Sequence, residues 1–275
     1  MFTLNCNGRL LVVDNPLVMG IINATPDSFY EGSRFSGPDK ILIQAEKMIN
    51  EGADILDIGG QSTRPGSEQL SEEMELNRTI ESIEAIRQRF PEIIISVDTY
   101  YSAVAKKCVQ AGANMVNDIS AGTMDEEMLS TIASLQVPYI AMHMKGTPQT
   151  MQQLANYENV TSEVLDFLIR KKNECKLAGI VDVIIDPGFG FAKTIAHNFK
   201  LLKDLSVFKM LDVPLLVGLS RKSSVYKTLG TSPGEALNGT TVLNTIALMN
   251  GANILRVHDV KEAKEVVNLW GAVSR

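Results

Sequence analysis

Asp57, Asp98, Asn117 and Asp186 each follow or close a short apolar run, and so do Asn23, Lys222, Arg256 and His258. The Asp and Asn side chains are acceptors or amides suited to the N–H groups of a polar heterocycle. Arg64, Lys222, Arg256 and His258 are donors suited to phosphate. One Asp at a strand exit is best explained as a cap for the following helix. Four acceptors and four donors at successive exits are better explained as one site.

Other chemistries are poorly supported. The three histidines, His143, His197 and His258, are scattered, with none at metal-pair spacing. His197 stands at an expected helix start and is read as structural. Cys6, Cys108 and Cys175 form no Cys-x-x-Cys pair, so they suggest neither a zinc site nor a disulfide framework, and they suit a reducing, cytoplasmic compartment. Residues 188–194 look like a phosphate loop, but Pro187 and Ala192 occupy the required glycine positions, and Lys193 takes the third glycine of a dinucleotide fingerprint. Gly218-Leu219-Ser220-Arg221-Lys222 fails as a nucleophile elbow at Lys222.

Eight short apolar runs end at or near these residues: 17–22, 54–56, 93–97, 114–116, 139–142, 183–185, 215–218 and 253–255. Continuous apolar runs suit strands buried on both faces of a parallel sheet. Amphipathic patterns lie between them at 40–50, 72–89, 101–110, 126–134, 162–176, 199–208, 240–249 and 261–272. The motif Glu51-Gly52-Ala53-Asp54 recurs as Ala111-Gly112-Ala113-Asn114, in Ala178–Asp182 and as Asn250-Gly251-Ala252-Asn253. Each copy reads as a helix ending in a glycine cap before a buried strand. The spacing predicts an α/β protein, a (β/α)₈ TIM barrel, as one domain over 1–275. A doubly wound sheet needs no eighth strand and usually opens with a glycine-rich phosphate loop. Asn7-Gly8 predicts an N-terminal hairpin within 1–16 that closes the barrel bottom.

Active sites of such barrels sit at the C-terminal ends of the strands. The long polar segments 23–38, 59–71 and 144–159 belong to that end and suit binding loops. The 275 residues are 45% hydrophobic, ample for a core, and the net charge of −6 argues against a nucleic-acid surface. No apolar run approaches the ~18 residues of a membrane span.

The motifs in their order resemble the dihydropteroate synthase family over nearly the whole chain. Asn23-Ala24-Thr25-Pro26-Asp27-Ser28-Phe29 is the first, and Asp57-Ile58-Gly59-Gly60-Gln61-Ser62-Thr63-Arg64-Pro65-Gly66 the second. Asn117-Asp118-Ile119-Ser120, Met142-His143-Met144 and Asp186-Pro187-Gly188-Phe189-Gly190-Phe191 follow. Gly218–Ser223, Asn238-Gly239-Thr240-Thr241 and Arg256-Val257-His258-Asp259 complete the set. The resemblance implies a transferase that joins 7,8-dihydropterin-6-methyl diphosphate to p-aminobenzoate, giving 7,8-dihydropteroate and diphosphate.

By the same resemblance Asp98, Asn117, Asp186 and Lys222 bind the pterin, and Arg256 stacks on its ring. Met142, Ile119 and Phe191 are available to line the ring faces, although Ile119 and Met142 suit an ordinary core equally well. Asn23, Arg64, Arg256 and His258 hold the diphosphate, with Asn23 the contact to Mg²⁺. Phe29, Thr63, Pro65, Phe191, Lys222 and Ser223 bind p-aminobenzoate, the site that sulfonamides imitate. The catalytic set is then Asn23, Arg64, Lys222, Arg256 and His258. The implied reaction is dissociative and needs no protein nucleophile. Relatives are usually homodimers.

The chain departs from the family pattern at Glu31 in the first loop and at Gln61, where Glu is usual. The roles of these two, of Asp57 and of His143 stay open. A corrinoid-dependent methyltetrahydrofolate methyltransferase shares the barrel and the Asp–Asn–Asp pocket but should lack the first two loop motifs. A non-catalytic pterin-binding paralogue should have lost Asn23, Arg64 or Lys222, and none is lost.

Overall fold

A computed structural model describes residues 1–24, 37–61, 67 and 69–274. An antiparallel hairpin of β1 (Phe2–Cys6) and β2 (Arg9–Val13) precedes β3 (Leu17–Asn23) and α1 (Gly37–Asn50). Then come β4 (Ile55–Gly59), α2 (Glu72–Arg89), β5 (Ile94–Asp98), α3 (Ser102–Gln110), β6 (Met115–Asp118) and α4 (Met128–Leu135). The second half runs through β7 (Tyr139–Met142), α5 (Val160–Ala178), β8 (Val183–Asp186), α6 (Ile195–Lys203), β9 (Leu216–Val217) and α7 (Ser223–Leu229). It ends with α8 (Leu237–Met249), β10 (Ile254–Val257) and α9 (Val260–Val273).

β3 to β10 form one parallel sheet in the order β8-β7-β6-β5-β4-β3-β10-β9. A parallel bridge between Ile185 and Leu215 joins its two edges and closes the barrel. The expected (β/α)₈ architecture is therefore observed.

The two-residue period of each strand sorts its side chains. Leu56, Val97, Val116, Ile185, Val217 and Leu255 face outward into the core shared with the helices. Met19, Ile55, Ile94, Met115, Ile140, Ile184, Leu216 and Ile254 form an apolar barrel floor. Two positions further along, the inward set includes Asp57, Ser96, Asn117, Met142, Asp186 and Arg256. One more step brings Asn23, Asp98 and His258 to the mouth. Apolar below and polar above, this alternation aims the chemistry at one end.

The hairpin plugs the opposite end, as its turn predicted. Asn7 and Gly8 both have positive φ, at 55° and 82°, the geometry of a tight primed turn. Leu4, Cys6 and Val13 join the barrel-floor cluster. Asn114 Nδ2 donates to the Cys6 carbonyl at 3.1 Å, and the Asn5 N–H donates to Asp182 at 2.8 Å.

The helix expectations need two corrections. The pattern at 199–208 resolves into α6 and a separate 3₁₀ segment, Leu205–Leu211. Thr194 and His197 form a capping box that starts α6 earlier, confirming His197 as structural. α7 had no counterpart in the sequence reading, because seven residues give too short a periodic signal. All three cysteines are free and buried.

Candidate active site

Asp57 organises the pocket floor. It is fully buried, and its Oδ2 accepts from Arg256 Nε at 2.6 Å and from Asn117 Nδ2 at 3.0 Å. Asp57 therefore does not cap a helix; it faces into the barrel because it lies two residues beyond Ile55. Arg256 Nη2 also donates to Asp98 at 2.6 Å, so one guanidinium bridges carboxylates from β4 and β5. Asp98 and Asn117 stand opposite each other in register, as do Met142 and Asp186.

Burial sets the electrostatics of this layer. It pushes the Asp98 carboxyl up to about 7, against the opposing pull of Arg256. Asp186 is raised for the same reason, although Lys222 and a hydrogen bond from the Gly188 N–H (2.7 Å) resist the shift. Burial lowers Lys222 to about 8, with Asp186 acting to keep it charged. Burial also opposes the charge on Arg256, but Asp57 and Asp98 overcome it and hold the guanidinium above its ordinary range.

Lys222 projects from the residue preceding α7. Its Nζ donates to the Phe189 carbonyl and lies 4.5 Å from the Phe191 ring centroid, a cation–π contact. Phe191 packs partly buried against a cluster containing Tyr100, Ile119, Met142 and Met144. This cluster supplies the apolar wall that a flat ring requires. Ser223, half-buried, begins α7 beside Lys222.

At the mouth, Asn23 is exposed at the end of β3. The Ser220 hydroxyl oxygen accepts from the His258 backbone N–H at 3.2 Å and lies 3.0 Å from His258 Nδ1. That geometry lets the Ser220 hydroxyl donate to Nδ1, which in that tautomer puts the ring N–H on Nε2. Arg256 is lower, in the carboxylate layer, rather than beside His258 at the rim. Its expected stacking and pterin contacts suit this position. Nε and Nη2 are bonded to Asp57 and Asp98, which leaves Nη1 for any contact with diphosphate.

Phe29, Glu31, Thr63, Arg64 and Pro65 lie outside the described residues. The ends of the second loop are described. Gln61 donates to the Tyr100 hydroxyl and accepts from the Leu70 N–H at 3.0 Å. Tyr101 donates to the Leu70 carbonyl at 2.8 Å and accepts from Gln69 at 2.9 Å. Neutral Gln61 thus serves as a loop anchor. Sequence reasoning missed Tyr100, which bonds Gln61, and Tyr101, which bonds Gln69 and Leu70, because nothing in their spacing ties them to this loop.

No group of three or more His, Cys, Asp or Glu that could hold a metal occurs among the described residues. Asn23 offers a single hard oxygen at the rim, suited to a cation held mainly by water and substrate phosphate.

Residues 19–258, which contain every site residue discussed here, match the family described as pterin binding enzyme. The chain is 42% identical over 273 residues to dihydropteroate synthase of Haemophilus influenzae, with 98% of each chain covered. The chain belongs to the dihydropteroate synthase family. It superposes with a TM-score of 0.93 and 39% identity on Xanthomonas albilineans dihydropteroate synthase solved with 4-aminobenzoic acid, covering 99% of this chain and 98% of that one. Yersinia pestis dihydropteroate synthase in a sulfonamide drug complex gives 0.93 and 40%, with 99% of each chain covered.

Proposed function

We propose that the protein is a dihydropteroate synthase, condensing 7,8-dihydropterin-6-methyl diphosphate with p-aminobenzoate to 7,8-dihydropteroate and diphosphate. The observation carrying this reading is the polar tier of Asp98, Asn117, Asp186, Lys222 and Arg256 above an apolar barrel floor. A pterin's aminopyrimidinone edge presents amine and ring N–H donors to the Asp and Asn side chains, and its carbonyl accepts from Lys222. The Phe191 ring and Ser223 lie on the mouth side, where p-aminobenzoate or a sulfonamide would enter.

In this mechanism the C–O bond to diphosphate breaks first, and the methylene cation delocalises over the pterin ring. Asp98 and Asp186, fixed before reaction, favour that charge. His258 Nε2–H and Asn23 face the departing diphosphate, with Arg64 on the second loop as a further donor. The aniline nitrogen attacks the methylene, and the resulting anilinium releases a proton. No protein nucleophile takes part. When bound, Mg²⁺ would neutralise charge on the leaving diphosphate, with Asn23 as its protein ligand.

A homodimer is supported by an exposed apolar stripe, Val242, Ile246 and Met249, at helical spacing on α8, with Leu269 and Val273 exposed on α9. The buried free cysteines support a reducing cytoplasm. No helix among the described residues is long and apolar enough to cross a membrane.

The test is turnover of the purified protein with Mg²⁺ and the pterin diphosphate. Dihydropteroate should form only after p-aminobenzoate is added, with one diphosphate released per product. Pterin binding without turnover would establish a non-catalytic pterin-binding protein instead.

A further inference from the structure

The turn from Gly188 to Lys193 lies between β8 and α6, and two lysine ammoniums take its carbonyl oxygens. Lys222 reaches Phe189 from the pocket. Lys193, only 4% exposed, donates to Gly188 O at 2.9 Å, Phe191 O at 3.0 Å and His143 Nδ1 at 2.9 Å. The His143 carbonyl lies a further 3.4 Å away, so three protons face four acceptors, and none of these acceptors is a carboxylate. His143 must then be neutral with its lone pair on Nδ1. Its burial and the adjacent Lys193 push the imidazole down to about 2, in keeping with that role.

Filling this space with hydrocarbon would avoid desolvating an ammonium. Burial pulls Lys193 well below its ordinary range while Asp186 acts to keep it charged, and the connections around it show what its hydrogen bonds hold together. Gly188 has φ 72°, and a Cβ there would come within 2.0 Å of the His143 carbonyl oxygen, so the turn lies directly on the β7 exit. The His143 N–H donates to Asp186 O at 2.9 Å, and the Gly188 N–H to Asp186 Oδ1 at 2.7 Å. The clamp and the pterin-facing carboxylate therefore share one piece of backbone.

Resting on the functional reading above, we propose that Lys193 is a positioning residue. Its ammonium ties the Gly188 and Phe191 carbonyls to the His143 ring, which sets Asp186 toward the pterin and the Phe191 ring toward p-aminobenzoate. It touches neither substrate. It also adds a cation behind Asp186, which Lys222 from the β9 exit, Arg256 from β10 and Asp98 from β5 face on the pocket side. Lys145 lies beyond the neutral His143.

The test uses Lys193→Met, His143→Leu and His143→Gln in the full chain. Displacing the turn by ~1 Å should cost Lys193→Met roughly 100-fold in kcat/KM for p-aminobenzoate. Lys193 helps hold Asp186 ionised, so without it Asp186 keeps its proton to higher pH and the acid-side loss of pterin affinity should move upward. His143→Leu should share the kcat/KM loss, whereas His143→Gln keeps an acceptor for Lys193 and should recover most of it. If Lys193→Met does not fold, the two His143 variants decide the matter. A folded Lys193→Met with wild-type constants and an unmoved acid limb overturns the proposal, as does His143→Gln performing no better than His143→Leu. Failure of the wild-type protein to make dihydropteroate overturns the functional reading and this inference together. An active wild type with unaffected variants overturns this inference alone.

Discussion

Replacing Asp57 by alanine should impair pterin binding far more than folding. The substitution removes two contacts to one carboxylate oxygen, from Arg256 Nε at 2.6 Å and Asn117 Nδ2 at 3.0 Å. Each charged hydrogen bond contributes about 1.5–3 kcal/mol. Arg256 keeps its 2.6 Å bond to Asp98, and its side chain is 21% exposed, so the sum is discounted to about 3 kcal/mol. Folding recovers part of this, because Asp57 also repels Asp98 across the pocket. Pterin binding recovers none, since Arg256 and Asn117 lose the group that orients them. The expected result is a roughly 100-fold weaker dissociation constant by calorimetric titration. Urea melts on the same variant should show a loss of only about 1 kcal/mol. Asp57→Asn, which retains one acceptor oxygen, should fall between. An Asp57→Ala protein binding pterin within about threefold of wild type would refute the idea that Asp57 organises the floor.

Two further substitutions probe separate parts of the structure. Neither carboxyl oxygen of buried Glu75 has a partner at full hydrogen-bond geometry among the described residues, and burial raises this carboxyl from 4.5 to about 7 against the pull of the Thr99 hydroxyl. The folded chain therefore holds a proton that the unfolded chain releases, and stability should fall as pH rises from about 4.5 to about 7, by on the order of 3 kcal/mol. Glu75→Gln should flatten urea midpoints measured between pH 5 and 8, and an unchanged slope would show that Glu75 is not the titrating group. Phe191→Ala removes the ring facing Lys222 and should raise the KM for p-aminobenzoate about tenfold with pterin affinity nearly intact. Equal losses for both substrates would contradict the separation of the pocket into two layers.

The barrel was legible because its strands are continuous apolar runs and its repeated glycine caps mark the returns. The polar tier was legible because the two-residue period carries an apolar floor position, such as Ile55 or Ile184, to a polar one at Asp57 or Asp186. What escaped was long-range pairing. The role of Asp57 stayed open because its partner Arg256 is 199 residues away. His143 stayed open because its partner Lys193 is reached only through the fold of the 188–193 turn. α7 was missed because its seven residues follow Lys222 without a second apolar turn to reveal the period. Arg256 was expected at both the pterin and the diphosphate, and its bonds to Asp57 and Asp98 were not foreseen.

The central claim is that the polar tier inside the barrel mouth is the pterin floor, with Lys222 as the cation beside Asp186. The dissociation constant of the pterin substrate for Lys222→Ala tests it most directly. Loss of the ammonium that meets the pterin carbonyl and offsets Asp186 should weaken binding by at least ~100-fold while the protein remains folded. A folded Lys222→Ala protein with an unchanged dissociation constant would contradict the account.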